Sequence, residues 1–101
     1  MWLLALFDLP VRTRKQRKDY TRFRKELIRR GFMMLQYSVY GLYCQSEDAS
    51  QSHRGQIRAV LPPGGQVRLL AVTDRQFGKM DIFHGKRRAQ AEHAPTQMLL
   101  F

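Results

Sequence analysis

The chain carries one cysteine, Cys44, in 101 residues. An intrachain disulfide is excluded, and so is a zinc site built on thiolates. Cys44 reads as a half-buried filler in a strand rather than a catalytic thiol. Histidine is nearly as scarce. His53, His84 and His93 stand apart without metal-ligand spacing, and each reads as a surface residue. No apolar run approaches the roughly 20 residues that a membrane helix needs. The opening run, Trp2 to Phe7, is also too short for the core of a signal peptide, and no basic stretch precedes it. A soluble cytoplasmic protein with no membrane partner is expected. There is no internal repeat and no low-complexity tract. Acid is in short supply too: 8 Asp and Glu face 18 Lys and Arg, a net charge of +10. That imbalance points to a polyanionic partner, above all nucleic acid. An anionic membrane surface fits less well, because no helix is both basic and broadly apolar on one face.

What is present fits one globular domain, with 44% hydrophobic residues. "WLLALF", closed by Asp8, Leu9 and Pro10, reads as a central strand buried on both faces. Thr13 and Gln16 have the spacing of a capping box. Tyr20, Phe23 and Leu27 follow at helical intervals, and Gly31 supplies a stop, so a helix is predicted from about Arg14 to Arg30. "FMMLQYSVYGLYC", Phe32 to Cys44, favours strand, with no Asn-Gly or Asp-Gly to mark a hairpin. It reads as one long strand whose only polar interruption, and so its only place to break, is Gln36 to Ser38. Ser46 or Asp48 caps a second helix running toward Leu61, ended by Pro62 to Gly65. "VRLLAVTD", Val67 to Asp74, reads as another buried strand ending in a carboxylate. "MDIF", Met80 to Phe83, suits a short edge strand, and Gly85 to Arg88 a basic linker. A break near Gln36 makes the order βαββαβ, the ferredoxin-like α+β arrangement. The apolar tail "TQMLLF" must be covered by something.

In such a sheet the strand ending at Asp8 lies beside the strand ending at Asp74, antiparallel to it. The two carboxylates then sit at opposite ends and cannot share a site. Two readings of Asp8 stay open at this point. It can cap the Leu9–Arg12 turn by accepting backbone N–H bonds. It can instead be a ligand for a hard cation such as magnesium, which takes one or two carboxylates and can activate water against a phosphodiester. One Asp per chain is thin coordination, but a two-fold dimer would bring two copies of Asp8 together.

Between Val11 and Arg30 stand Arg12, Arg14, Lys15, Arg17, Lys18, Arg22, Arg24, Lys25, Arg29 and Arg30, opposed only by Asp19 and Glu26, so +8 of the +10 sits on one element. Like charges at i,i+4, such as Arg14–Lys18 and Lys18–Arg22, destabilise an isolated helix. Basic residues in its first turn also oppose the macrodipole. A phosphate partner accounts for that cost better than solvation does. Arg12, Arg14, Lys15, Arg17 and Lys18 lie near Asp8 in sequence, and a second set, including Arg75 and Lys79 with Lys86 to Arg88, extends the candidate nucleic-acid track. No motif reads base sequence, so backbone binding that weakens with salt is expected.

"MWLLALFDLP" before an arginine-rich helix, "GFMMLQYSVYGLYC", "LPPGGQVRLLAVTDRQFGKMDIF" and the closing "QMLLF" together resemble the CRISPR-associated protein two family over essentially the whole chain. The resemblance implies a ferredoxin-like fold with an additional C-terminal strand, in a homodimer. That strand, Gln97, Met98, Leu99, Leu100 and Phe101, would pack on the partner protomer. The domain would then occupy residues 1–84, with linker and strand over 85–101. The resemblance also implies a hairpin break near Gln36. It makes Asp8 the metal-binding and catalytic residue, with magnesium or manganese as cofactor, in an endonuclease acting on RNA or double-stranded DNA. It further implies a role in CRISPR spacer acquisition, as a scaffold that binds duplex DNA and bridges the CRISPR integrase, CRISPR-associated protein one. The runner-up reading is a stand-alone ferredoxin-like RNA-binding or toxin-type endoribonuclease module.

Overall fold

The computed structural model describes residues 1–95. The elements run β1 (Trp2–Asp8), α1 (Arg14–Arg29), β2 (Met33–Gln36), β3 (Val39–Tyr43), α2 (Glu47–Arg58), β4 (Gln66–Val72), α3 (Asp74–Gly78), β5 (Ile82–His84) and β6 (Arg87–Ala89). The first four strands form one sheet in the order β2-β3-β1-β4, and every neighbouring pair is antiparallel. This is the expected ferredoxin-like α+β arrangement.

Helix α1 begins where its capping box predicts. The Thr13 hydroxyl accepts from the Gln16 amide, and the Gln16 side chain accepts from the Thr13 amide. It ends at Gly31 (φ 96°), where the Gly31 and Phe32 amides donate to the Ile28 and Leu27 carbonyls. Phe23 and Leu27 are fully buried against the sheet. Burying each contributes about 1.5–3 kcal/mol, which outweighs the few tenths lost per like-charged pair on the outer face. A helix of this charge therefore forms because the sheet holds it.

Both long helices cover the face of the sheet that carries Leu3, Ala5 and Phe7. The alternate residues of β1, Leu4 and Leu6, are only half-buried and Asp8 is exposed, so the strand is central but not buried on both faces. Strand β4 departs further from the sequence reading. It is an edge strand with Gln66, Arg68 and Leu70 exposed. An apolar run reads as buried, but here one face of the sheet has no covering layer among the described residues.

The long strand expected from Phe32 to Cys44 breaks at the predicted place. Gln36 pairs with Val39, and Tyr37 and Ser38 form the turn, with Ser38 at φ 65°. Leu35 is the extra residue of a bulge between Met34 and Gln36. Cys44 lies just beyond β3, fully buried rather than half-buried.

Two segments differ from expectation after β4. The strand stops at Val72, and Thr73 caps the short helix α3 through the same Thr-x-x-Gln box found at Thr13, so Asp74 opens a helix. Phe77 of α3 stacks on Trp2 with centroids 4.1 Å apart and rings 7° from parallel, covering one end of the open face. Residues 85–88, expected as a linker, supply the turn and start of β6, which pairs with β5 in a separate hairpin. Residues 97–101, expected as a strand on a partner, lie outside the described residues.

Candidate metal and nucleic-acid site

Asp8 ends β1 with its backbone paired opposite Gln66. Alternation along the strand places it on the open face, with Leu4 and Leu6. Its carboxylate is exposed, and among the described residues no donor or cation reaches it. The turn-cap reading is therefore not borne out. The amides of Arg12 and Thr13 donate instead to Gln16 Oε1, at 2.9 and 3.0 Å. The turn that follows Asp8 is held from the helix side, which leaves the carboxylate free.

Three of the other carboxylates are engaged, whereas Asp19, Glu47, Asp48 and Glu92 also have no side-chain partner among the described residues. Asp74 pairs with the Met1 amine at the far end of β1, as the antiparallel register requires. Asp81 pairs with Arg88 at 2.8 Å. Glu26 takes both Arg29 and Arg30, and these hydrogen bonds hold its carboxyl below the ordinary value of 4.5. No group of three His, Cys, Asp or Glu side chains forms a metal cage among the described residues.

Asp8 lines a shallow hollow of about 230 Å³ with Tyr37, Ser38, Gln66 and Arg68. Arg68 does not reach Asp8, because its Nε donates to Gln66 Oε1 at 2.9 Å. Neither Tyr37 nor Arg68 was singled out from sequence. The available signals were a cation inside the apolar run "VRLLAV" and a tyrosine at the only polar break of a strand-rich segment.

The candidate basic residues divide into groups. Arg12, Arg14, Lys15 and Lys18 are exposed at the start of α1, at the same end of the sheet as Asp8. Arg17 is partly committed to the fold, since its guanidinium donates to the Val11 and Arg12 carbonyls at 3.3 and 2.9 Å. Arg24 Nε donates to the Tyr40 hydroxyl at 2.7 Å. Arg17, Lys18, Arg22 and Lys25 line one open surface of the helix. Arg75 and Lys79 are exposed on α3. That helix follows the opposite end of β4, about 20 Å from Asp8 by the length of a seven-residue strand. The first set thus shares an end of the sheet with Asp8, although α1 packs on the opposite face and none of its cations lines the Asp8 hollow, and the second set stands at the far end.

Comparison with known proteins decides the family. Residues 1–80 match the family described as CRISPR associated protein Cas2. The chain belongs to the Cas2 family. A protein of Parvibaculum lavamentivorans named CRISPR-associated endoribonuclease Cas2 is 46% identical over 101 residues, the full length of both chains. Proteins of the same name from Flavobacterium psychrophilum (41% identical, 100% of this chain and 88% of the relative) and Ligilactobacillus salivarius (36%, 99% of each) extend the similarity. The family resemblance read from the motifs is thus borne out. No helix among the described residues is long and apolar enough to cross a membrane.

Proposed function

We propose that this Cas2-family chain works as a homodimer in CRISPR spacer acquisition. In this reading it holds duplex DNA for the CRISPR integrase and carries phosphodiesterase chemistry at paired Asp8 residues. The observation that carries the chemical part is Asp8 itself, an exposed carboxylate without a partner among the described residues, closing a central strand at the end of the sheet where the exposed cations of α1 begin. A free carboxylate in such surroundings is better explained by an external ligand than by the fold.

Dimerisation is supported by the open sheet face. Leu70 is 51% exposed and Met33 43%, and Leu4 and Leu6 are only half-buried. A second copy laid on this face would cover that area, and the tail 97–101 would have a surface to pack on. Asp8 lies on the same face, so a two-fold axis near it would double the carboxylates.

Carboxylate oxygens alone suit magnesium or manganese, and Asp8 from each protomer would hold the ion. Bound there, it would acidify water and offset charge on the phosphoryl group. Arg12, Arg14 and Lys15 would fix the nucleic-acid backbone beside Asp8, and Lys18, Arg22 and Lys25 would extend the grip along α1. The names of the relatives favour RNA as a substrate that is cut, alongside duplex DNA as the cargo that is held.

Asp8→Asn should abolish magnesium-dependent cleavage and leave duplex binding intact. Cleavage that survives the substitution rejects the chemistry. Deleting 96–101 should stop spacer acquisition and co-elution with the integrase on a short duplex; acquisition that continues without the tail rejects the scaffold. A scattering profile of lone protomers at working concentration rejects the dimer.

A further inference from the structure

We infer that Tyr37 is a stacking platform for an unpaired nucleobase beside Asp8, so that the strand presented to Asp8 carries at least one unstacked nucleotide. The inference rests on the reading of Asp8 as the reactive site and adds the substrate class.

Tyr37 is 75% exposed, the most exposed large hydrophobic side chain among the described residues. An aromatic ring at a turn tip ordinarily gains by folding down onto the core. This one is instead held upright. One face stacks on Tyr20, with centroids 5.9 Å apart and rings 21° from parallel. Tyr20 in turn rests against Phe7 of the core at 6.0 Å. The Tyr20 hydroxyl also lies 3.4 Å from Ser38 Oγ, and the Phe7 amide donates to the Ser38 carbonyl at 3.0 Å. Ser38 at φ 65° fixes the turn that carries the ring. The platform is therefore ordered before any ligand arrives, so little side-chain entropy is lost on stacking. No third ring covers the outer face of Tyr37 among the described residues.

Position gives this ring a use. Tyr37 and Ser38 form one wall of the hollow that contains Asp8. A base stacked on Tyr37 would leave its own phosphate in the hollow that Asp8 and Arg68 line. Aromatic stacking tolerates any base, which agrees with the lack of a sequence-reading motif. A base inside a duplex is already stacked on both faces and cannot be offered to Tyr37. The fitting substrate is a loop, an overhang or a frayed end.

The test uses the full chain in EDTA, so that binding is read without cleavage. The probes are a short single strand and a blunt duplex, each carrying one 2-aminopurine. Wild type should quench the single-stranded probe. Tyr37→Ala should lose the quench and bind that strand about tenfold more weakly, with binding to the blunt duplex and its salt slope unchanged; Tyr37→Phe should retain both properties. Absence of quenching in wild type, or equal weakening on both probes, overturns the platform. Because the wild-type signal is decisive, a poorly folded Ala variant does not shelter the idea. Cleavage by wild type in magnesium without quenching in EDTA overturns the platform and leaves the Asp8 reading in place. Quenching without cleavage does the reverse.

Discussion

Gly65 passes so close to Asp8 that a Cβ built on it would stand 2.5 Å from the Asp8 carbonyl oxygen and 2.9 Å from the Leu9 Cα. Both atoms are backbone and cannot swing aside. Gly65 also sits at φ 81°, where a side chain is strained whatever the space. The loop from Pro62 to Gly65 thus closes against the end of β1 only because this position has no side chain. Gly65→Ala should cost on the order of 2–4 kcal/mol by urea denaturation. It should also lower cleavage in the fraction that folds, since the strand end carrying Asp8 must shift. Unchanged stability would show that the contact relaxes without consequence.

Much of this was legible before the structure. Thr13, Gln16 and Gly31 bound α1 by local hydrogen bonding, and such signals depend on few residues. The strand order followed from topology rules, and with it the separation of Asp8 from Asp74. Three features were hidden for physical reasons. The burial of β4 depends on whether a layer covers the far face of the sheet, and an apolar run looks the same with or without one. Helix α3 was missed although Thr73 and Gln76 repeat the box at Thr13, because five residues are too few to show a period. Tyr37 and Arg68 come to line the same hollow as Asp8 only through strand pairing, so no local pattern links them.

Charge and role separate on α1, and two substitutions distinguish them. Arg24 donates to the hydroxyl of the buried Tyr40, so Arg24→Ala should destabilise the fold by about 1–2 kcal/mol. Lys18 is exposed, with no partner in the fold among the described residues. Lys18→Ala should leave stability within about 0.5 kcal/mol and reduce the salt slope of duplex binding by about one unit if it meets one phosphate. Thermal melts and affinity titrations at several salt concentrations read the two effects. An unchanged slope for Lys18→Ala would remove it from the interface.

Cys44 is 2% exposed, and burial pushes its thiol above the ordinary value of 9.0. Few thiolates exist at neutral pH, and reagent cannot reach them. Alkylation by iodoacetamide should be slow in the native protein and rapid in denaturant. Fast native labelling would show that the end of β3 opens readily.

Glu26 links acid to stability. The hydrogen bonds from Arg29, and then from Arg30, hold its carboxyl below the ordinary 4.5. A carboxyl whose pKa falls on folding stabilises the native state above its unfolded value, and that share is lost as pH drops through the folded one. The wild type should therefore lose stability progressively from about pH 4.5 downward, in part through this residue. Glu26→Gln removes the group that titrates. The variant should be less stable than wild type at neutral pH, and the gap should close in acid as the wild-type carboxyl takes up its proton. Because Glu26 is only partly buried, added salt should narrow the neutral gap as well. Urea midpoints at neutral pH and in steps below 4.5, at low and high salt, read all three trends. A gap that stays constant through the acid range would mean that Glu26 acts by packing and that its two arginines hold no charge-dependent bond.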